Sequence, residues 1–123
     1  MTTERIIDSS GGYPRNPSIT VDSNNLPHIS YSSDGCHCIQ YVHHNGSGWE
    51  LTNVFESTDD AGTFSVLSTS IELDTEGNPM IVFSGQNYSP SRGSQNIMYF
   101  SSFNGTNWTV DELVVYAGYY IGA

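Results

Sequence analysis

The stretch Pro17-Ser-Ile-Thr-Val-Asp22-Ser-Asn-Asn-Leu-Pro27-His-Ile-Ser-Tyr31 returns 52 residues later as Thr69-Ser-Ile-Glu-Leu-Asp74-Thr-Glu-Gly-Asn-Pro79-Met-Ile-Val-Phe83. The shared pattern, Ser-Ile-x-(Val/Leu)-Asp-x4-Pro-x-Ile-x-(Tyr/Phe), runs without a gap. Downstream, Ile39-Gln-Tyr41-Val aligns with Ile97-Met-Tyr99-Phe, and Asn45-Gly-Ser-Gly-Trp49 with Asn104-Gly-Thr-Asn-Trp108. The register slips by six residues and then by one more, at residues 84–96 and around Phe103. Both slips fall between strand-like runs, where insertions are tolerated.

Short apolar runs and period-two alternation predict strands at Ser18–Asp22, His28–Ser33, His37–Val42 and Trp49–Glu56. The second copy repeats them at Thr69–Asp74, Met80–Ser84, Asn96–Ser101 and Trp108–Val115. Asp22 to Pro27 and Asp74 to Pro79 read as turns, reversed by Asx chemistry, a glycine in one copy and a strand-opening proline. Asn45-Gly46 and Asn104-Gly105 read as hairpin turns. A four-stranded meander of about 40 to 50 residues, written twice, is the unit of a β-propeller. The expected fold is therefore all-β, with two four-stranded antiparallel blades at 17–56 and 68–115. Residues 1–16 carry an outer or exchanged strand and a loop, 57–67 link the blades, and 116–123 form a tail. The competing all-β reading is a two-sheet sandwich with accidental internal similarity.

Composition agrees with short strands and tight turns: 12 Gly, 5 Pro, 8 Tyr and 5 Phe in 123 residues, with 37% hydrophobic content. Thirteen acidic residues face Arg5, Arg15, Arg92 and no lysine, for a formal charge of -10. That surface repels phosphate, so nucleic acid and anionic membrane are excluded as partners. No apolar stretch approaches the roughly 20 residues that span a bilayer, and Met1 to Ile7 lacks a signal-peptide pattern. A soluble protein, cytoplasmic by default, is the expectation. Cys36 and Cys38 flank His37; on a strand they share a side at a spacing poorly suited to a disulfide, so two free, small apolar thiols are expected, with no metal. No cofactor motif is present.

The signatures Asp-x-x-Gly-x-Pro-x-Ile-x-Tyr and Asn-Gly-x-x-Trp resemble blades of the broad sialidase-like and BNR-type propellers. The Asp-box of those families is Ser-x-Asp-x-Gly-x-x-Trp. Here Ser102-Phe-Asn104-Gly-Thr-Asn-Trp108 is one residue short and has Asn for Asp, and His44-Asn-Gly-Ser-Gly-Trp49 departs further. The sialidase site is not carried over, and no catalytic residue is assigned.

In such a fold the connections between blades, and those between second and third strands, leave from one rim. The long segments Ser9–Asn16, Ser57–Leu67 and Gly85–Gln95 map there. Binding residues gather on long loops over a rigid scaffold. The candidate ligand-binding residues are thus Tyr13, Arg15, Asp34, His37 and Asp59, with Asp60, Phe64, Asn87, Tyr88 and Arg92 beside them. Aromatic rings among carboxylate, amide and guanidinium groups suit sugars. Trp49, Trp108, Tyr41 and Tyr99 read as packing between blades, and His43 and His44 as solvated residues at the opposite, turn-bearing rim.

Two blades alone leave apolar faces open, so the chain is expected to associate with itself; about three chains would close a six-bladed ring. Ile6-Ile7 resembles Val114-Val115, which suggests strand exchange between chains. The expected function is a non-catalytic, lectin-like binding module for glycans. A protein-interaction scaffold and a glycoside hydrolase are the alternatives.

Overall fold

The computed structural model describes residue 3 and residues 13–33, 38–56, 63–89 and 93–117. These form eight strands and, among the described residues, no helix: β1 (Pro14–Val21), β2 (Pro27–Ser33), β3 (Cys38–His44), β4 (Trp49–Glu56), β5 (Thr63–Leu73), β6 (Pro79–Ser89), β7 (Gly93–Phe103) and β8 (Trp108–Ala117). Two four-stranded antiparallel sheets result, in the orders β1-β2-β3-β4 and β5-β6-β7-β8. The all-β expectation holds, and no described helix is long and apolar enough to cross a membrane.

The turns are built as the repeat implies. Asp22 Oδ1 accepts the N–H groups of Asn24 and Leu26, at 2.8 and 3.0 Å; Asp74 Oδ1 does the same for Glu76 and Asn78, at 2.9 and 2.9 Å. Both turns need one residue at positive φ, supplied by Asn25 (63°) and by Gly77 (85°) at the equivalent place. In the other hairpins Asn45 and Asn104 each accept two backbone N–H bonds through Oδ1. An amide oxygen here does what an aspartate would do.

Strand pairing corrects the repeat alignment. Ile19 pairs with Ile29 as Ile71 pairs with Ile81, so β1 and β2 recur 52 residues on. Val42, which pairs with Ile29 and Leu51, corresponds to Ser101, which pairs with Ile81 and Val110. The last two strands therefore recur 59 residues on, and the whole seven-residue insertion precedes β7. On this register Tyr41 corresponds to Phe100, and Tyr99 to Gln40. A one-residue slip moves a side chain to the other face, which is why Tyr41 and Tyr99 enter the same core from opposite sheets. The bulge at Ile39/Gln40 repeats at Met98/Tyr99, and both first strands are bulged, at Arg15/Ser18 and at Val66/Ser68, though not at equivalent residues.

The insertion is not a loop. Where a long loop was expected at Gly85–Gln95, β6 continues to Ser89 and β7 begins at Gly93, with Gln86 paired to Asn96 and Tyr88 to Ser94. β5 likewise starts at Thr63, inside the expected linker, and β1 at Pro14. Ladder bonds are made by the backbone and do not require apolar alternation, so the polar extensions of β6 and β7 carry no pattern signal, whereas the start of β5, Thr63-Phe-Ser-Val66, does alternate and Val66 packs against the core. Residues 4–8, expected as an exchanged strand, lie outside the described residues.

A second correction concerns the cysteines. Cys38 is disulfide-bonded, and the described residues contain no free thiol; Cys36 is the chain's other cysteine. The objection to pairing assumed that both lie in one extended strand, whereas β3 begins only at Cys38.

The sheets pack face to face over one core. Ile39, Tyr41 and Val54 of the first sheet meet Ile71, Ile81, Phe83, Ile97 and Tyr99 of the second, with the Phe55 ring tilted against Phe83 and Tyr99 at 5.3 and 5.0 Å. The first strands run alongside each other in the same direction: Thr69 Oγ1 donates to the Asn16 carbonyl, and Ile71 N–H donates to Ser18 Oγ at 3.3 Å. Asn16, held at φ 55°, also donates its amide to the Val66 carbonyl and to Ser32 Oγ, each at 3.2 Å. Ser30 and Thr69 hydroxyls bond at 3.0 Å between the sheets. Truncating Ile81, fully buried in this core, to alanine should cost about 2 to 5 kcal/mol in urea unfolding. Gly77→Ala should cost about 1 kcal/mol or more, through its positive φ alone, since open space surrounds the added methyl.

Candidate functional site

The repeat is broken chemically at one place. Position 28 is His in the first copy and Met80 in the second; position 43 is His where the second sheet has Ser102. His28 opens β2 and His43 nearly closes β3. The antiparallel register sets them directly opposite each other, and their rings stack at 5.3 Å and 7°. Tyr41, two residues before His43 on the same side of β3, stacks on it at 5.1 Å. Trp108 of the second sheet sets its edge against Tyr41 at 5.5 Å.

Hydrogen bonds fix the column. His28 Nε2 lies 3.0 Å from Asp22 Oδ2, and Nδ1 lies 2.5 Å from the Tyr41 hydroxyl. A carboxylate can only accept, so Nε2–H donates to Asp22, and in the neutral ring Nδ1 then accepts the Tyr41 O–H. Asp22 thus organises its own turn through one oxygen and holds a buried imidazole through the other. These bonds, the one from His28 first, keep its carboxyl below the ordinary 3.8. Burial pushes the Tyr41 phenol well above 10, and the charges of Asp22 and Glu50 add to it. Tyr41 is a donor here and not an incipient phenolate.

His43 is held differently. Its Nε2 donates to Glu50 Oε2 at 3.1 Å, while its Nδ1 is buried with no hydrogen-bond partner. In the neutral ring that nitrogen is a bare acceptor; protonation would bury an unpaired N–H beside His28. Burial and His28 lower the His43 pKa from 6.5, outweighing the pull of Glu50. His43 is half-buried and stacked, which corrects the expectation of a solvated residue; sequence position could not show that the second sheet covers it.

Beside this column the two sheets leave a cleft of about 390 Å³. The first sheet lines it with His28, Tyr41, His43 and Thr52, and the second with the Gly77–Pro79 turn, Phe103, Thr106 and Trp108. The cleft lies at the end bearing the tight turns. Among the described residues, no cluster of His, Cys, Asp and Glu is arranged to hold a metal ion.

Of the residues nominated from sequence, Tyr13, Arg15, Phe64, Asn87 and Tyr88 lie at the opposite end. Tyr13 is exposed, and Arg15 pairs with Ser32 across β1 and β2. Phe64 faces Asn87 in the β5–β6 ladder, with Tyr88 next to it opposite Thr63; these three sit on strands, not loops. Asp34, His37, Asp59, Asp60 and Arg92 lie outside the described residues. The ladder brings Phe64 together with Asn87 and Tyr88, while Tyr13 and Arg15 are neighbours in sequence only. The turn-end cleft escaped the sequence reading because Asp22 was accounted for by its turn and Trp108 by packing. Its available signal was the departure of His28 from Met80 within an otherwise matched repeat.

The linkage sign for His43 is definite. Its folded pKa lies below the ordinary value, so stability is greatest above about pH 6.5 and falls as the unfolded chain takes up the proton below it. The Asp22 contribution persists to lower pH, is present above about 3.8, and is lost as its depressed pKa is crossed. Urea midpoints should therefore decline from pH 7 to 5, and His43→Gln should flatten that decline; an unchanged slope in the variant would assign it elsewhere. No family model matches the chain, and no curated protein or solved structure matches it either.

Proposed function

We propose that the two sheets are successive blades of a sialidase-like propeller and that the chain is a non-catalytic, lectin-like module whose sugar ligand occupies the turn-end cleft. The observation that carries this reading is the composition of one cleft. Phe103, Trp108 and Tyr41 supply aromatic surface, while Asn78, Thr52 and Thr106 supply amide and hydroxyl groups around it. A sugar presents the matching chemistry, an apolar C–H face that packs on a ring and hydroxyls that both donate and accept. The rings are held in place by their neighbours, so little side-chain entropy is lost on binding.

The carboxylates support binding over turnover. Glycoside hydrolysis uses two carboxyl groups about 5 to 10 Å apart on either side of the scissile bond. Here Asp22 is committed to two backbone N–H groups and His28, and Glu50 to His43. The net charge of -10 favours neutral over acidic sugars. The blade reading is supported by the repeated meander, the repeated third-strand bulge and the parallel first strands.

Calorimetric titration with a panel of neutral mono- and disaccharides tests the proposal. Shallow sites of this kind bind at about 1 mM or somewhat tighter, and Trp108→Ala should weaken binding at least tenfold, about 1.4 kcal/mol, while Trp108→Phe retains part of it. Absence of binding across the panel, or an affinity indifferent to Trp108, would sink the assignment.

A further inference from the structure

The hairpins that join β3 to β4 and β7 to β8 hold the chain's two Asn-Gly pairs, Asn45-Gly46 and Asn104-Gly105. In such a pair the glycine nitrogen can attack the asparagine side chain, because no Cβ on the second residue hinders the approach. The two pairs stand at equivalent places in the repeat and share nearly every feature. Gly46 and Gly105 lie at φ 98° and 99°, and open space surrounds the place where a Cβ would stand on each. Asn45 Oδ1 accepts the N–H groups of Ser47 and Gly48, at 2.8 and 3.0 Å; Asn104 Oδ1 accepts those of Thr106 and Asn107, at 2.9 and 2.8 Å. Both asparagines and both glycines are exposed to water.

The turns differ in the residue before the asparagine, which is His44 in the first sheet and Phe103 in the second. Each ring rests on the tryptophan that opens the next strand, His44 edge-on to Trp49 at 5.1 Å and Phe103 tilted against Trp108 at 5.5 Å. The two rings therefore occupy the same place with different chemistry. His44 Nδ1 accepts the Gly46 N–H at 3.0 Å, whereas a phenyl ring has no atom that takes a proton. With Nδ1 accepting, the imidazole is neutral and carries its proton on Nε2.

We infer that Asn45-Gly46 is a self-processing site, at which the chain deamidates Asn45 through a cyclic imide with His44 as general base. His44 Nδ1 takes the Gly46 amide proton, and the freed nitrogen forms a bond to Asn45 Cγ. The carbonyl electron pair moves onto Oδ1, where the Ser47 and Gly48 N–H groups already point and stabilise the oxyanion. Collapse restores the carbonyl and breaks the Cγ–Nδ2 bond, and Nδ2 leaves as ammonia with the proton returned by His44. Water then opens the imide. Addition at Cγ gives aspartate with the ordinary main chain; addition at the main-chain carbonyl gives isoaspartate, whose backbone is longer by a carbon. Aspartate keeps the turn, since Asp22 and Asp74 organise theirs through a carboxylate oxygen that accepts two main-chain N–H groups. Isoaspartate disturbs the pairing of His44 with Trp49 that closes the hairpin. The site is independent of what the cleft binds.

Incubation of the folded chain in neutral buffer, followed by proteolytic mapping and mass spectrometry, reads both asparagines in one sample. Asn45 should convert at least about tenfold faster than Asn104, a modest share of what a positioned general base supplies. In urea, where the turn geometry is lost, the two rates should converge. His44→Gln should bring Asn45 down to the rate of Asn104, and Phe103→His should raise Asn104 toward that of Asn45. Equal rates in the folded wild-type chain would overturn the inference, and that comparison needs no variant to fold. So would an advantage of Asn45 that persists in urea, or one that survives His44→Gln in a chain shown by circular dichroism to be folded.

Discussion

Burial of the Ile71, Ile81 and Phe83 side of the second sheet against Ile39, Tyr41 and Val54 of the first is the contact on which the rest depends. A four-stranded sheet with one apolar face does not hold its shape in water unless that face is covered. Each sheet here covers the other, and Asn16 fixes how they meet. Its left-handed backbone turns an amide toward the Val66 carbonyl while its own carbonyl receives the Thr69 hydroxyl. The two first strands are thereby aligned in one direction, and the remaining strands fan outward from them in order.

The cleft follows from the same contact. Near the core the sheets touch through aliphatic and aromatic side chains; toward the tight turns they separate around His28, Tyr41 and His43. A polar column can survive beside a core only if its members satisfy one another. Asp22, His28 and Tyr41 do so, each ring nitrogen of His28 having a partner. His43 Nδ1 is the exception, and its cost is smallest in the neutral ring. Turn, strand and site are therefore one unit: the carboxylate that reverses the chain at Asp22 also anchors the imidazole that lines the cleft.

The seven-residue insertion shows how little a repeat needs in order to diverge. It lengthens the β6–β7 hairpin through backbone pairing alone and leaves every equivalent pair near the core unchanged. Its odd length nevertheless shifts which residues of the third strand match. The visible tyrosines, Tyr41 and Tyr99, are consequently not equivalent positions, and they approach each other across the core from the two sheets. Equivalent residues instead point to equivalent sides of the two sheets, one side buried within the chain and the other outward.

The amino-acid sequence by itself determined the all-β class, the eight strands, the turns at Asp22, Asn45, Asp74 and Asn104, and the doubling of a four-stranded unit. These are local properties: period-two alternation, Asx geometry and a residue tolerant of positive φ act over a few positions and are written where they act. Tertiary structure alone decided the rest. The polar ends of β6 and β7 pair through main-chain groups that leave no side-chain pattern, and the true register of the third strand emerges only from its partners. The cleft, too, is assembled from residues that each had a sufficient local explanation: Asp22 as a turn former, Trp108 as packing, His43 as a strand end. What makes them a site is the approach of Phe103 and Trp108 from the second sheet, a contact between segments more than fifty residues apart, and no local rule encodes that approach.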